Sequence, residues 1–303
     1  MEKKDIASYT LQELEDEMKA IGEKPFRAKQ IYEWIHVKLV ESFDEMTNVS
    51  KALREKLDRE YEIATVSLVE RQISGIDGTN KFLFELSDGN MIESVLMKYK
   101  HGNSICISSQ VGGRMGCRFC ASTIGGLVRN LTASEMLREV YEVQKISGER
   151  ISNIVVMGTG EPLDNYENFV RFILMVSDGH GLHISQRNIT ASTCGIVPNI
   201  RRLADEKFQI TLALSLHGSN QEKRKSLMPV ANKYELSEVL AACDEYFEKT
   251  GRRITFEYSL VHGVNDTEED IRELTALLKH RNCHLNLIPV NPVRENNFKR
   301  PDK

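Results

Sequence analysis

The feature that most constrains the fold is a regular alternation of apolar runs and helical patterns beginning at Asn103. Short β-prone runs predict strands at 104–108, 151–157, 188–192, 209–215, 253–260 and 284–290. Helical periodicity predicts helices at 134–146, 166–177, 198–206, 236–250 and 267–279, with Ser134 and Thr267 as N-caps. Such alternation is typical of a parallel sheet. The predicted fold class is α/β: six strands curving toward closure form a partial (βα)6 TIM-like barrel, with a doubly wound sheet as the alternative.

The chain before this alternation has other patterns. Residues 1–65 are charge-rich with helical periodicity, which predicts a small N-terminal helical accessory domain. Residues 66–102 change to a period of two around a turn at Asp88, which predicts a β-hairpin-like bridge, and residues 103–303 make the core. Acidic residues interleave with the basic ones of the first segment, so an RNA-facing surface and an ordinary solvated face both remain open. The basic set is Lys24, Arg27, Lys29, Lys38, Lys51, Arg54 and Lys56.

Composition limits the cellular setting and the partners. The chain has 303 residues and 41% hydrophobic content. Its net charge is −4, so the overall charge does not indicate a nucleic-acid partner. Six irregularly spaced cysteines, with no N-terminal signal pattern and no apolar run of membrane-spanning length, predict a reducing cytoplasm and no membrane. A disulfide scaffold is therefore not expected.

Polar and glycine-rich motifs follow the predicted strands, at the sheet edge where α/β proteins build their sites. Met157-Gly-Thr-Gly-Glu-Pro lets a ligand approach the backbone closely, and Glu161 can accept a hydrogen bond from an ammonium group. This motif alone is weak, because glycine-rich strand ends are common. His217 follows the fourth strand, and a lone histidine at a strand end is more often structural than functional.

Cys117 and Cys120 are three positions apart in a glycine-rich turn, a spacing that lets both sulfurs converge on one soft metal centre. Spacing alone leaves four interpretations open: a cluster, a redox pair, half of a zinc site, or two buried thiols. Cys106, in the preceding strand, is by itself most simply a buried thiol, and Glu93 a solvent-facing strand residue.

The surrounding residues resemble the motif CxxxCxxC of radical S-adenosylmethionine (SAM) enzymes, as it occurs in the RlmN/Cfr family of RNA methyltransferases. Cys117 and Cys120 match its second and third cysteines, whereas Gly113 stands in place of the first. The resemblance implies a 4Fe-4S cluster held by three thiolates, with SAM on the fourth iron. Cys117 and Cys120 are therefore the expected metal ligands, and glycine offers none at position 113.

The same resemblance covers the strand-end motifs, in the family's order and over nearly the whole chain. It implies that the Gly-Glu-Pro motif, the Ser-Thr-Cys-Gly motif, the Ser-Leu-His motif and a late asparagine contact SAM. The implied cofactor-binding residues are Gly160, Glu161, Ser192, Ser215, Leu216, His217 and Asn291.

The activity that the resemblance implies is methylation of carbon 2 of an adenosine in 23S rRNA and in tRNA. One SAM methylates a cysteine near the C-terminus and another yields a 5'-deoxyadenosyl radical, which activates that methyl group. Cys106 would then resolve the protein–RNA adduct through a transient disulfide, and Glu93 would accept a proton. An electron donor such as flavodoxin or ferredoxin and a monomeric state are also implied.

A second departure from the family lies at the end of the chain. The sequence stops at Lys303, before the methyl-carrying cysteine that the resemblance implies, which suggests a truncated sequence. Cys243 and Cys283 are expected to be packing residues, the latter opening a core strand. Two alternatives stay open: a Cfr-type carbon-8 methyltransferase, and a non-catalytic RNA-binding relative, which Gly113 favours.

Overall fold

The computed structural model describes residues 3–292 and 297–301. These residues form two compact units that each draw on several stretches of the chain. Unit 1 comprises 1–108, 131–154 and 167–185, and unit 2 comprises 109–130, 155–166 and 186–303. Asp302 and Lys303, which belong to the predicted truncation point, lie outside the described residues.

Helices and strands mix along the chain. The helices are α1 (Leu11–Ala20), α2 (Phe26–His36), α3 (Lys51–Glu60), α4 (Ala133–Ser147), α5 (Tyr166–Ser177), α6 (Val197–Asp205), α7 (Gln221–Leu227), α8 (Leu236–Thr250) and α9 (Glu268–Leu278). The strands are β1 (Lys4–Asp5), β2 (Tyr61–Glu62), β3 (Val66–Ile73), β4 (Asn80–Leu86), β5 (Met91–Tyr99), β6 (Gly102–Ile107), β7 (Gln110–Gly112), β8 (Leu127–Asn130), β9 (Ile151–Val156), β10 (Ile189–Thr193), β11 (Thr211–Ser215), β12 (Ile254–Leu260) and β13 (Cys283–Pro289).

In unit 1, strands β3 to β6 form a meander in which sequence neighbours pair in antiparallel fashion. Leu83 of β4 lies opposite Glu93 of β5, and Val95 of β5 lies opposite Cys106 of β6. The predicted hairpin therefore extends by one further strand, since β6 continues the antiparallel pairing. This local meander fixes the register of Glu93 and Cys106.

The start of α4 corrects one predicted cap. Thr132, not Ser134, is the N-cap. Its hydroxyl accepts a hydrogen bond from the Glu135 N–H, and the Glu135 carboxylate accepts one from the Thr132 N–H. Ser134 instead donates its hydroxyl to the Asp5 carboxylate. Both residues are good caps by type, so the choice depended on the Glu three positions after Thr132.

In unit 2, β10 to β13 pair side by side in parallel, as the alternation predicts. The centre of β11 is buried on both faces, because Leu212, Ala213 and Leu214 are all 0% exposed. Two further features were not predicted correctly. The short helix α7 was missed, and β13 is mostly exposed, so Cys283 is half-buried at the start of an exposed strand rather than in a core strand.

Among the described residues, no helix is both long and apolar enough to cross a membrane.

Candidate active site

A cavity of about 170 Å³ lies within unit 2, where four segments of the chain meet. Two opposing sides line it. We call residues 113–123 the cysteine loop; it contributes Gly113, Met115, Cys117, Phe119, Cys120, Ser122 and Thr123. We call the other side the strand-end wall, because its residues end or follow β9, β10 and β11. It comprises Val156, Met157, Gly158, Gly160, Glu161, Ser192, Cys194, Ser215 and His217.

The cysteine loop is held by backbone hydrogen bonds, one of them to α7, and by a threonine hydroxyl. The Cys120 N–H donates to the Cys117 carbonyl at 3.0 Å, and the Thr123 hydroxyl donates to the Cys120 carbonyl at 3.1 Å. The Arg118 N–H donates to the carbonyl of Leu227 at the end of α7, at 3.0 Å. Burial raises the pKa of the Cys117 thiol to about 12, so this sulfur favours the neutral form until a cation joins it.

Glu161 is the buried carboxylate of the strand-end wall, with 4% exposure. One carboxylate oxygen accepts from the Cys194 N–H at 2.7 Å, and the other accepts from the Leu163 N–H at 3.1 Å. Burial raises the pKa of Glu161, and these hydrogen bonds oppose the rise. Each carboxylate oxygen can accept more than one hydrogen bond, so the side chain can still receive a cationic donor from the cavity.

Gly160, beside this carboxylate, cannot be replaced without strain. Its φ of 103° lies in the region that favours glycine. A Cβ atom there would meet the Cβ of Gln110 at 2.6 Å and the backbone nitrogen of Gln110 at 2.8 Å. The wall therefore approaches β7 closely at this point.

His217 presents a neutral ring of defined tautomer. Its Nδ1 accepts from the Ser259 N–H at 2.9 Å, so the proton of the neutral ring is on Nε2. Burial, followed by the nearby Arg224 charge, lowers the pKa of His217 to about 3. The ring packs edge-on against Phe119 with centroids 4.7 Å apart. His217 can therefore donate a hydrogen bond at neutral pH but carries no charge.

Two hydroxyls complete the polar part of the wall. The Oγ atoms of Ser192 and Ser215, at the ends of β10 and β11, are 3.5 Å apart. Adjacent parallel strands end at the same edge of a sheet, which is why residues 23 positions apart in sequence converge.

Arg224 of α7 lies behind the wall and is fully buried. Its Nη2 donates to the Cys194 carbonyl at 2.6 Å and contacts the Ser215 carbonyl at 3.4 Å. Its Nε and Nη1 have no hydrogen-bond partner in the described part of the chain. Burial lowers the pKa of Arg224.

The chain resembles known proteins over almost its whole length. A family model described as "Ribosomal RNA large subunit methyltransferase N-terminal domain" matches residues 4–63, and one described as "Radical SAM superfamily" matches residues 107–275. The "Probable dual-specificity RNA methyltransferase RlmN" of Lachnoclostridium phytofermentans is 67% identical over 299 residues, which cover 99% of this chain and 84% of that protein. The protein of the same description from Clostridium perfringens strain SM101 is 59% identical over 300 residues, covering 99% and 86%.

This chain belongs to the RlmN family of radical SAM RNA methyltransferases. A solved structure agrees: the crystal structure of a radical SAM methyltransferase from Sphaerobacter thermophilus has a TM-score of 0.92 and 42% identity, covering 99% of this chain and 89% of that one. The family and the α/β radical SAM fold predicted from the sequence are thus confirmed, as is the enzyme class. Membership in the radical SAM superfamily implies SAM and a 4Fe-4S cluster as cofactors.

The donor set of this RlmN-family chain does not match that cluster. The cysteine loop brings two thiols, Cys117 and Cys120, to the cavity, and Gly113 lines it without a side chain. Within residues 3–292 and 297–301, no group of three or more His, Cys, Asp or Glu side chains is placed to hold a metal ion. The loop therefore offers one thiolate fewer than the motif requires.

The space at position 113 nevertheless accommodates a side chain. A Cβ atom on Gly113 would meet the Thr123 methyl group at 3.6 Å and the Ser122 carbonyl oxygen at 3.7 Å, both ordinary contacts. Gly113 also does not have a positive φ. Neither backbone conformation nor crowding requires glycine here.

The residues predicted to contact SAM fall into two groups, those that line the cavity and those that do not. The structure brings Gly160, Glu161, Ser192, Ser215 and His217 to one cavity. Leu216 is fully buried, and its N–H donates to the Glu257 carbonyl at 2.9 Å, so its side chain lies in the core. Asn291 is exposed and its side-chain oxygen accepts from Arg300. The structure places neither of these last two along the cavity.

Glu93 and Cys106, the predicted catalytic residues, belong to unit 1. The Glu93 carboxylate is 2.6 Å from the Lys81 ammonium group, and both side chains are nearly half exposed. The pair joins diagonal positions of neighbouring strands, a common surface arrangement. Cys106 is half-buried in β6.

One residue that organises the site was not identified from the sequence. Gln110 is fully buried, and its side-chain oxygen accepts from the Glu161 N–H at 2.9 Å. Its amide donates to Asn130 at 2.8 Å and to Asp164 at 3.0 Å. A glutamine two positions before the first glycine of the turn is the signal that could have indicated it, since a buried amide needs several partners.

Proposed function

We propose that the chain carries the SAM site of an RNA methyltransferase that modifies carbon 2 of adenosine in 23S rRNA and in tRNA. The observation that carries this proposal is the convergence of the cysteine loop and three strand ends on one cavity. The description of the matching N-terminal family model names large-subunit ribosomal RNA, and the relatives are described as dual-specificity RNA methyltransferases. These names support two RNA substrate classes.

The proposed roles follow from the chemistry of each side chain. Glu161 would hold the ammonium group of SAM, because a buried carboxylate gains most from a cationic partner. His217 would donate from Nε2, and the hydroxyls of Ser192 and Ser215 would fix the polar part of the ligand. Cys117 and Cys120 would be the ligands that this chain offers to the 4Fe-4S cluster implied by the family.

Several elements of the proposal rest on the family resemblance. Glu93 would accept a proton and Cys106 would resolve the protein–RNA adduct. Leu216 and Asn291 would add cofactor contacts, and a carrier such as flavodoxin or ferredoxin would supply electrons. We propose a cytoplasmic monomer. The predicted boundaries at residues 65 and 102 likewise stay predictions.

A second candidate function is a non-catalytic RNA-binding relative, and the missing thiol at Gly113 favours it. The two candidates differ in whether completing the donor set restores SAM cleavage. The test is anaerobic reconstitution of the chain and of Gly113→Cys with iron and sulfide, followed by SAM and a chemical reductant. Release of 5'-deoxyadenosine by the variant supports the enzyme, whereas full cluster loading without any cleavage supports the non-catalytic relative.

A second experiment determines which carbon of the adenosine is methylated. The reconstituted variant would be incubated with SAM, a reductant and unmodified 23S rRNA or tRNA. Mass spectrometry of RNA nucleosides then distinguishes 2-methyladenosine, the expected product, from 8-methyladenosine, the product of a Cfr-type enzyme.

A further inference from the structure

We infer that Asn265, in the loop that follows β12, is a positioning residue for His217. It holds the His217 backbone in the left-handed region and thereby keeps the ring nitrogen Nδ1 on the Ser259 N–H. The inference rests on the proposed function in one respect, because there the opposite nitrogen, Nε2, donates to SAM. All of the contacts that carry it lie within unit 2 and involve protein groups alone.

His217 adopts a backbone conformation that residues with a side chain rarely take. Its φ is 53°, in the region that favours glycine. Such a conformation persists only where surrounding contacts fix it. On its N-terminal side that condition is met, since the N–H groups of Leu216 and His217 donate to the Glu257 carbonyl at 2.9 and 3.3 Å. The direction of the His217 carbonyl therefore decides whether the residue keeps this conformation.

The Asn265 side-chain amide fixes that carbonyl. Its Nδ2 donates to the carbonyls of His217 and Ser259, each at 2.8 Å. Its Oδ1 accepts from the Val261 N–H at 2.8 Å. Asn265 is 1% exposed, so both N–H bonds of the amide are used inside the protein and water cannot substitute for them. The amide is thus a fixed donor to the turn that follows β11.

Ser259 links this amide to the imidazole ring. Its N–H donates to the His217 Nδ1 at 2.9 Å, and its carbonyl is the second acceptor of the Asn265 amide. The three residues are thereby joined in a closed ring of three hydrogen bonds. Without the Asn265 donor the His217 carbonyl is released, and rotation of the backbone out of the left-handed region withdraws the imidazole from the Ser259 N–H. A free Nδ1 lets the neutral ring carry its proton on either nitrogen.

The proton on the imidazole separates a positioning role from a structural one. A residue that only closes the loop after β12 would affect stability, but it would not change which nitrogen of a histidine after β11 carries the proton. The tautomer of His217 is therefore the quantity to measure.

The experiment observes the His217 ring in the chain as given, without metal. Long-range proton–nitrogen NMR correlation spectra of protein with isotope-labelled histidine show which ring nitrogen carries the proton, and His217→Asn identifies the signals of this residue. Asn265→Asp keeps the shape of the side chain and an acceptor for the Val261 N–H but removes both donors. Asn265→Ser removes the amide without adding a buried charge, and it serves if Asn265→Asp does not fold.

The matched control is Asn80→Asp. Asn80 is a buried asparagine of unit 1 with 3% exposure. Its amide nitrogen donates to the Gly78 carbonyl at 2.7 Å, and its oxygen accepts from the Arg71 Nε at 2.9 Å. The control therefore makes the same chemical change at a buried amide elsewhere in the chain, and urea unfolding of every variant compares the losses of stability.

We expect the unaltered chain and Asn80→Asp to show one His217 tautomer, with the proton on Nε2. Both Asn265 variants should show a mixture of the two tautomers. A single Nε2–H tautomer in a folded Asn265 variant refutes the inference and leaves the proposed function standing. The same mixture in Asn80→Asp refutes it as well, because the effect would not be specific to Asn265.

Calorimetric titration with SAM separates the inference from the proposed function. His217→Asn and Asn265→Asp should each weaken SAM binding about tenfold, the loss expected from one hydrogen bond. The double variant should lose little more, because Asn265 acts through His217. Additive losses in the double variant refute the inference, since Asn265 would then act on SAM by another route. If the tautomer changes in the Asn265 variants while His217→Asn binds SAM as the unaltered chain does, the positioning stands and the proposed role of His217 fails.

Discussion

The two sides of the cavity use glycine in opposite ways. On the strand-end wall, Gly160 has a φ of 103° and no room for a Cβ beside Gln110. In the cysteine loop, Gly113 has room for a Cβ and shows no positive φ. One glycine is required by the backbone, and the other marks a missing side chain. The letter in the sequence is the same, and only the local geometry separates the two.

The largest expected effect tests the cysteine loop. Gly113→Cys should change the iron content of anaerobically reconstituted protein from substoichiometric, labile loading to about four stable atoms. The physical reason is that the new thiol completes the donor set in a position that tolerates a side chain. Iron and sulfide analysis with the visible spectrum measures it, and stable full loading of the unaltered chain without added thiol would contradict our interpretation of position 113.

The next effect tests the strand-end wall. Gly160→Ala should lower the free energy of unfolding of the metal-free protein by about 3 kcal/mol, because the new Cβ meets Gln110 and the backbone is strained. Urea unfolding measures this, and SAM binding should weaken at the same time. A loss below about 0.5 kcal/mol would show that β7 yields easily and that Gly160 is not required.

A somewhat smaller effect concerns pH and the same wall. The pKa of His217 is about 3 in the folded protein and about 6.5 in the unfolded chain. The unfolded state therefore binds more protons between these values, so the contribution of His217 to stability is complete above pH 6.5 and declines as the pH falls toward 3. From pH 7 to pH 5, the loss from this one group is about 2 kcal/mol.

The matched control for this prediction is His36, which is buried in unit 1 and has a pKa also lowered to about 3. His217→Asn should flatten part of the acid decline and leave the part due to His36. An unchanged slope between pH 7 and pH 5 in the variant would mean that His217 titrates normally.

The smallest expected effect is on stability and concerns the cysteine loop. Gly113→Ala should raise the free energy of unfolding of the metal-free protein by about 0.5 kcal/mol, because alanine restricts the unfolded chain and meets no clash in the folded one. Measured beside Gly160→Ala, it should have the opposite sign. Two losses of equal size would remove the contrast between the two glycines.

Local signals in the sequence predicted much of the fold and part of the site. Periodicity located β10 to β13 and the long helices, because each pattern lies within one element. The motifs that follow β9, β10 and β11 predicted a shared site because parallel strands end at one edge. Thr132 could also have been chosen over Ser134, since the decisive glutamate lies three residues away.

The remainder depends on contacts between segments far apart in the chain. Gln110 meets residues 20, 51 and 54 positions away, and no local pattern encodes those partners. The burial of Leu216 and the exposure of Asn291 also depend on the packed neighbours of each residue, which the motifs do not specify. The exposure of β13 likewise follows from its neighbours and not from its apolar sequence.

Arg224 and its helix α7 link the motions of the strand-end wall to those of the cysteine loop. A single buried guanidinium on α7 contacts the carbonyls of Cys194 and Ser215, and the same helix ends where Arg118 of the cysteine loop is bound. Fluctuations that open α7 would therefore release both sides of the cavity together. In amide hydrogen exchange, the residues after β10 and β11 and those of the cysteine loop should share one opening free energy, as a single cooperative unit.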